Sequence, residues 1–583
     1  MKVLRKIYVV LFLIAFAIIS FTTSFVFANQ IIETPRNETL YLGGATYDAV
    51  ANFNYLTGTQ NLIPTGRYPD DNRILTYESL FMFNQLTGGI EPLVGESYEW
   101  IDPYTLKVKL NKAAHWNDGT PLTAEDVVYT YKLGEKYNIT WSGYWSFLKD
   151  VTAESPSIVV FHLNEEKYNK LMIIDAIVFV PLHPKHIWSE IEKEAGYDLN
   201  AIQQFRNREP VGSGPYKIKY YDDIKVILER DDNYWGKVLF GKLPAPKYIT
   251  EIMFKDNSAI NLAVKNGEID FFQGFVPNVW KMWEDGAPIK TYLNDPPYYI
   301  SGSIPSIFFN LSKKGLDVFE IRKAIAMCTD YKKINEVAMC GYSADIEPGF
   351  VLPTESESKY IDKNAIKPYQ WVTDVDGANE LLDSIGAERG KDGIRVLKDG
   401  TRLGPYELEC PYGWSEWNAS LEIIKLSAKT IGIEMVTKFP DSPIVNNDAY
   451  TGNFDIIMMG SPSPKPSQPW QRAYFYLSSE GVPPIGERAF KNYGRFKNDR
   501  ADEILNLIPL KEDLKELKEL YTELTTIYLK NIPFISLMYR PWTFYTCSET
   551  VWKGFPTAKD GKGIPPQALS DGAGIKALYE IHN

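Results

Sequence analysis

A short segment over residues 115–128 constrains the fold of this chain more than any other stretch. Its Asn-Asp-Gly-Thr-Pro portion at 117–121 consists of residues that favour tight turns. Thr123 followed three residues later by Asp126 is a capping-box variant at the start of an apolar helical pattern. We therefore expect a turn that leads directly into an apolar helix through Val127, Val128 and Tyr131.

Further motifs follow along the chain in a fixed order. They are Gly-Ser-Gly-Pro-Tyr at 212–216, Arg-Asp-Asp-Asn-Tyr-Trp-Gly at 230–236, Lys-Asn-Gly-Glu-Ile-Asp at 265–270, Ile-Arg-Lys-Ala-Ile-Ala at 321–326 and Ile-Pro-Phe-Ile at 532–535. With the first segment, this series resembles the extracellular solute-binding proteins of family 5, the dipeptide and oligopeptide receptors of ABC importers. The resemblance covers nearly the whole mature chain and is closest to the oligosaccharide-binding branch.

The resemblance implies an α/β fold of the two-lobed, type II periplasmic-binding-protein kind, with an extra subdomain in lobe one. Lobe one is then expected at 29–66 and 187–303, the extra subdomain at 67–186, lobe two at 304–529, and the return to lobe one at 530–583. The chain would cross between lobes near 299–309 and 528–533. These crossings would form a hinge, with the ligand in the cleft between the lobes.

Residues 1–28 are predicted to be a secretory signal peptide. Basic residues precede an apolar run over 7–19, and the small residues Val26 and Ala28 fit cleavage after Ala28. The alternative of a retained anchor is disfavoured because a spanning helix needs about 20 apolar residues. No cysteine lies near the junction, so we expect a periplasmic protein without a lipid anchor.

The negative net charge of the chain argues against some classes of partner. A net charge of -12 and a pI near 5.2 argue against nucleic acid or an anionic membrane surface as a partner. The chain has four cysteines, Cys328, Cys340, Cys410 and Cys547, and their spacing does not fit a metal site, so we expect no metal and no cofactor. Buried free thiols are preferred for them, and one disulfide is the alternative. The resemblance implies a monomer whose membrane partner is an ABC permease.

Aromatic residues make up 14% of the chain, including 14 Trp and 37 Tyr, which suits ligands with apolar ring faces and hydroxyl rims. Sugars have this character. Trp414 and Trp417 lie where a strand over Leu408 and Glu409 enters a loop, before a helical pattern that begins near Ser420. They are predicted either to face the cleft or to fill the core beneath that helix.

A second indication of the ligand class is that one segment lacks acidic residues. In peptide-binding members, the segment after the Phe-Asp-Ile strand usually carries an aspartate that pairs with the α-amino group of the ligand. Here no acidic residue occurs between Asp455 and Glu480, and a buried ammonium without a carboxylate costs several kcal/mol. The Pro-rich segment over 459–470 instead presents Trp470, a third stacking candidate.

Lobe one offers further candidates. Asn54 and Tyr55 follow the first predicted strand at 40–44, where family members contact ligand, although an Asn-led turn is the alternative. Trp280 is a candidate for the same lobe, and its helical spacing from Trp283 favours core packing for at least one of the two.

Local patterns predict a strand at 105–110, a hairpin at 394–403 and an amphipathic helix over 510–527 that Asn531 and Pro533 stop. His183 and His186 lack the Glu and helical setting of a zinc protease and are interpreted as packing or surface residues.

The sequence thus predicts a non-catalytic receptor for oligosaccharides, with β-linked ones such as cello- or manno-oligosaccharides as the preferred class. A peptide receptor is the runner-up. A glycoside hydrolase is third, because paired carboxylates at the required separation are not visible in a sequence.

Overall fold

The structure is a computed structural model that describes residues 33–44, 52–57, 74–254 and 257–583. The predicted signal peptide and its cleavage site after Ala28 lie outside these residues. Within the described ranges, no helix is both long enough and apolar enough to cross a membrane.

Short strands are spread along the whole described chain. In chain order they are β1 Thr39–Gly43, β2 Phe81–Asn84, β3 Gly89–Pro92, β4 Gly95–Asp102, β5 Thr105–Leu110, β6 Leu148–Ser155, β7 Ile158–Leu163, β8 Tyr216–Tyr221, β9 Lys225–Arg230, β10 Tyr248–Ile252 and β11 Phe271–Phe272. They continue with β12 Ile289–Thr291, β13 Ser301–Ser303, β14 Ser306–Phe309, β15 Glu388–Arg389, β16 Arg395–Val396, β17 Tyr406–Glu409, β18 Met435–Lys438, β19 Ile456–Met459, β20 Phe534–Ser536, β21 Arg540–Pro541 and β22 Thr546–Ser548.

Helices alternate irregularly with these strands. Before the first crossing they are Ala124–Lys136, Lys170–Phe179, Lys185–Glu194, Leu199–Gln204, Lys237–Phe240, Asn257–Lys265 and Trp280–Glu284. After it come Phe319–Cys328, Tyr331–Lys333, Glu355–Ser358, Lys363–Ile366, Val375–Ser384, Ser415–Thr430, Ser442–Thr451, Trp470–Leu477, Asp499–Leu507, Leu514–Asn531 and Ala577–Glu580.

The first lobe is built on a seven-stranded sheet in the order β12-β22-β11-β1-β10-β9-β8. Its central strand β1 runs parallel to β10 on one side and to β11 on the other. A separate four-stranded antiparallel sheet, β4-β5-β7-β6, belongs to the segment that was predicted to be an extra subdomain.

The second lobe is built on a five-stranded sheet in the order β18-β17-β19-β14-β20. Strand β20 at Phe534–Ser536 pairs with β14 in this sheet. The chain therefore still contributes to the second sheet after residue 530, and it rejoins the first sheet only with β22. The pairing of β20 with β14, which are far apart in the chain, sets this limit, and no local sequence signal marks it.

The predictions agree with the structure where the sequence pattern lies within a single strand or helix. The alternating strand is β5, whose buried residues include Leu106, Val108 and Leu110. The Thr123–Asp126 capping box is present at the start of the helix Ala124–Lys136. The helix Leu514–Asn531 ends at Ile532, whose φ of 45° is left-handed.

The predicted hairpin at 394–403 is only partly regular. Leu397 N–H donates to the Thr401 carbonyl and a single bridge joins Val396 to Arg402, but Arg395 and Val396 pair with β15 instead of with a second hairpin strand. The Asp399-Gly400 turn is present, with Gly400 at a φ of 87°.

Candidate ligand-binding cleft

In each of the two sheets, the strand that follows a chain crossing begins beside the carboxyl end of a strand that has a parallel neighbour. In the second sheet β17 runs parallel to β18 and β19, as β1 does to β10 and β11 in the first. Strand β14 begins opposite the last residue of β19, and β22 begins opposite the last residue of β11. Ligands of open α/β sheets bind outside such carboxyl ends.

We call the space between these two edges the interlobe cleft. Its lobe-one edge is formed by Gly43, Gly44 and the 273–274 segment, and its lobe-two edge by residues 410–417 and 460–468. We refer to the antiparallel pair β13 and β21, which lies in the two crossings between the sheets, as its base.

The two crossing strands approach each other closely. A Cβ at Gly302 would lie 2.7 Å from both Cβ and the backbone nitrogen of Trp542. Only glycine therefore fits at this point of the base.

Trp414 and Trp417 lie at the carboxyl end of β17, where they form an edge-to-face pair with ring centroids 4.6 Å apart and an interplanar angle of 77°. The helix begins at Ser415, earlier than predicted, with Trp414 at the N-cap position and no side-chain capping hydrogen bond. Trp417 is 5% exposed and its ring edge approaches Gly460, whereas Trp414 is only half-buried. Trp414 thus keeps part of its ring surface exposed, whereas Trp417 is buried against it, and a ligand contact for either residue stays a prediction.

Trp470 lies in the core of the second lobe. It is 4% exposed, its indole N–H donates to the Leu505 carbonyl at 2.7 Å, and its ring stacks on Tyr474 at 5.1 Å. Its ring face and its indole N–H therefore both contact residues of the same lobe. The structure therefore places Trp470 as a packing residue and corrects the expectation that it faces the cleft.

Asn54 and Tyr55 are also internal. The Asn54 amide N–H groups donate to the carbonyls of Ile202 and Phe205 at 2.9 and 2.8 Å, and its oxygen accepts from Leu56 N–H at 2.9 Å. Tyr55 is 3% exposed and meets Tyr77 edge-on. These contacts show an Asn-led turn that ties chain segments together, which corrects the prediction of a ligand contact.

Trp280 is half-buried beside the hinge. Its ring lies 5.9 Å from Tyr298 and 6.3 Å from Tyr342, which follows the first crossing. The Tyr342 hydroxyl donates to the Val276 carbonyl at 2.6 Å, so the cluster joins both lobes. A ligand contact for Trp280 stays a prediction.

Sequence reasoning missed the pair Glu416–Arg540. The guanidinium Nε and Nη2 of Arg540 each lie 3.0 Å from Glu416 Oε1, and the Arg540 group covers the Phe544 ring at 4.7 Å. Glu416 is 4% exposed. The pair ties the first turn of the helix Ser415–Thr430 to crossing strand β21, and a separation of 124 residues leaves no sequence signal for it.

The loop over 460–468 contains a buried cation, Lys465, which is 6% exposed. Its ammonium lies 4.9 Å above the ring of Phe179 in the helix Lys170–Phe179 of the other lobe. Asp175 in the same helix accepts two hydrogen bonds from Ser467. Burial raises the pKa of Asp175 to about 6, although the Lys465 charge and the Ser467 hydrogen bonds act to lower it.

A small polar cavity of about 90 Å³ adjoins this loop. Gln85 and Thr87 of the β2–β3 turn line it from lobe one, and Thr354, Lys465 and Gln468 line it from lobe two. Among the residues described, no group of three or more His, Cys, Asp or Glu side chains is arranged to hold a metal ion.

This architecture is that of a type II periplasmic binding protein, with two lobes, two crossings and an interlobe cleft. The family model described as bacterial extracellular solute-binding proteins, family 5 Middle, matches residues 89–483. The chain belongs to this family. It is accordingly the substrate-binding protein of an ABC importer, as the 115–128 segment and its companion motifs predicted.

Known relatives agree with this assignment. The chain is 23% identical to the probable peptide-binding protein YejA of Agrobacterium fabrum over 80% of this chain and 79% of that protein. It is 25% identical to the oligopeptide-binding protein AppA of Bacillus subtilis over 74% and 75%.

Among solved structures, a periplasmic oligopeptide-binding protein of an ABC transporter from Thermotoga maritima, determined with mannohexaose bound, is 28% identical. The superposition has a TM-score of 0.82 and covers 94% of this chain and 99% of that one. Bacillus subtilis AppA in complex with a nonapeptide is 22% identical, with a TM-score of 0.69 over 89% and 95%, and this likeness concerns the fold.

Proposed function

We propose that the chain is a secreted, non-catalytic receptor that captures neutral oligosaccharides in the interlobe cleft. β-Linked chains such as cello- or manno-oligosaccharides are the preferred class. The receptor would act in the periplasm as a monomer and deliver its ligand to the permease subunits of the transporter.

This proposal rests mainly on the buried position of Lys465 in the 460–468 loop. Peptide-binding relatives are expected to use an aspartate of the corresponding segment, whereas here a buried ammonium occupies the loop. The nearby carboxylate of Asp175 already accepts from Ser467 and is influenced by the Lys465 charge. This loop therefore offers a peptide α-ammonium no unengaged carboxylate, and burying that ammonium without compensation costs several kcal/mol.

A neutral sugar brings no charge to be compensated. Its ring faces match the half-buried rings of Trp414 and Trp280, and its hydroxyls match the polar lining beside Lys465 and Gln468. The mannohexaose in the Thermotoga maritima protein is consistent with this chemistry on the same scaffold.

A peptide receptor is the second candidate, and the names of the Agrobacterium and Bacillus relatives favour it. The two functions share the fold and the cleft and differ only in the chemistry of the ligand ends. A glycoside hydrolase stays a distant third.

A thermal-shift panel tests the proposal. Purified mature protein is heated with manno-, cello- and xylo-oligosaccharides and, in parallel, with di- to pentapeptides. A ligand at one hundred times its Kd adds about 2.7 kcal/mol of stability, so a cognate sugar raises Tm clearly. Recovery of the sugar intact after incubation with stoichiometric protein checks that no cleavage occurs. Stabilisation by peptides alone would reject the proposal.

A further inference from the structure

A pair of hydrogen bonds joins the lobes at Asp175 and Ser467. Asp175 lies in the helix Lys170–Phe179, beside the first-lobe core, and Ser467 lies in the 460–468 loop of lobe two, 292 residues away. The Ser467 backbone N–H donates to Oδ1 at 2.9 Å and its hydroxyl donates to Oδ2 at 2.5 Å. One residue of lobe two thus occupies both oxygens of a lobe-one carboxylate.

Both partners are withdrawn from water. Asp175 is 0% exposed and Ser467 is 1% exposed. A carboxylate buried by lobe closure loses its hydration, and this loss is tolerated only where hydrogen bonds and opposite charge compensate it. Ser467 supplies the hydrogen bonds, and Lys465 supplies the charge.

We propose that Asp175 and Ser467 form an interlobe latch that holds a substantial fraction of the protein closed in the absence of ligand. Every donor and acceptor of the latch belongs to the chain itself, so its formation requires no bridging ligand. Hydrogen bonds to an ionised carboxylate are about twice as strong as neutral ones. The inference goes beyond the proposed function and does not depend on the class of ligand.

A second interlobe contact provides a matched control. Lys170, at the start of the same helix, forms an ion pair with Glu512 of lobe two at 2.5 Å. Glu512 is 79% exposed, and ion pairs at such exposed positions contribute little. Glu512→Gln removes this interlobe charge pair while leaving the latch intact.

The test measures distances between spin labels on the two lobes of the ligand-free protein. Lys149→Cys and Lys429→Cys place labels at exposed positions, and the four native cysteines are buried. We expect a closed population in the otherwise unchanged protein, and Asp175→Ala should lower the ratio of closed to open molecules at least tenfold. Ser467→Ala should lower it less, because the backbone donor remains. Glu512→Gln should change it less than twofold.

Urea unfolding establishes that each variant is folded. If Asp175→Ala does not fold, Asp175→Asn serves instead, since it keeps the side-chain size and one acceptor, and an intermediate loss of the closed population is expected. The proposal is overturned if the ligand-free protein contains no closed population, or if the Asp175 variant keeps the original distance distribution. Because no ligand is present, failure of sugar binding in the thermal-shift panel leaves this result unaffected.

Discussion

At the scale of single residues, Trp414 and Trp470 separate two roles that their sequence contexts do not distinguish. Trp414 is half-buried at the cleft edge, whereas Trp470 is enclosed and bonded to Leu505. Trp414→Ala should change the free energy of unfolding by less than about 1 kcal/mol but weaken sugar binding by about 2 kcal/mol, the range of a contact hot spot. Denaturant titration and calorimetry on the same variant measure both quantities.

Trp470→Ala is the matched control. Loss of a core tryptophan should destabilise the free protein by about 3 to 5 kcal/mol, while the folded fraction binds sugar with unchanged affinity. The assignment of the two residues would be reversed if Trp414→Ala lost stability and kept its affinity.

His183 is a buried neutral imidazole. Its Nδ1 lies 2.7 Å from the Pro181 carbonyl oxygen, and its ring stacks on Tyr77 and packs near Trp188. This environment agrees with the interpretation of His183 as a packing residue. Burial lowers its pKa from 6.5 to about 3.

The shift predicts a pH-dependent stability. The unfolded chain takes up a proton at His183 below pH 6.5, but the folded protein does not do so until about pH 3. Its stabilising contribution is therefore full above pH 6.5 and is lost as pH falls, by about 2 kcal/mol at pH 5. Urea titrations at pH 7.5 and 5 should show this extra loss in the parent protein and not in His183→Phe. Equal pH dependence in both proteins would refute the assignment.

At the scale of elements, the base of the cleft depends on the close approach of β13 and β21. Gly302→Ala would place a methyl group 2.7 Å from Trp542 Cβ, so we expect a loss of about 1 to 3 kcal/mol from overpacking. Gly143→Ala is the control, because a Cβ there meets nothing within 4 Å. Urea unfolding compares the two variants. Equal stabilities would show that β13 and β21 can move apart without a loss of stability.

The elements that sequence predicts well are those decided by neighbours in the chain. Alternation fixes β5, and a capping pair fixes the start of the helix Ala124–Lys136. The contacts between the lobes and crossings instead depend on residues far apart in the chain. Glu416 contacts Arg540 across 124 residues, and Asp175 contacts Ser467 across 292. Trp470 was misplaced for the same reason: its partner Leu505 belongs to another helix.

At the scale of the whole molecule, two cations at the described part of the cleft, Arg540 and Lys465, each have a carboxylate as partner. Arg540 lies against Glu416, and Lys465 faces Asp175 across the lobes. Such an arrangement offers hydrogen bonds and ring faces without an excess charge of either sign. It is the arrangement expected if this family 5 receptor takes a neutral ligand, as proposed.

The central claim is tested most directly by calorimetric titration of the mature protein with mannohexaose, cellohexaose, a hexapeptide and the N-acetylated form of that hexapeptide. We predict that at least one sugar binds with a Kd of about 1 μM or tighter, near −8.2 kcal/mol, and that neither peptide binds. Binding of the free hexapeptide, its loss on N-acetylation and no heat from either sugar would contradict the account, because the cleft would then be built to hold an ammonium group.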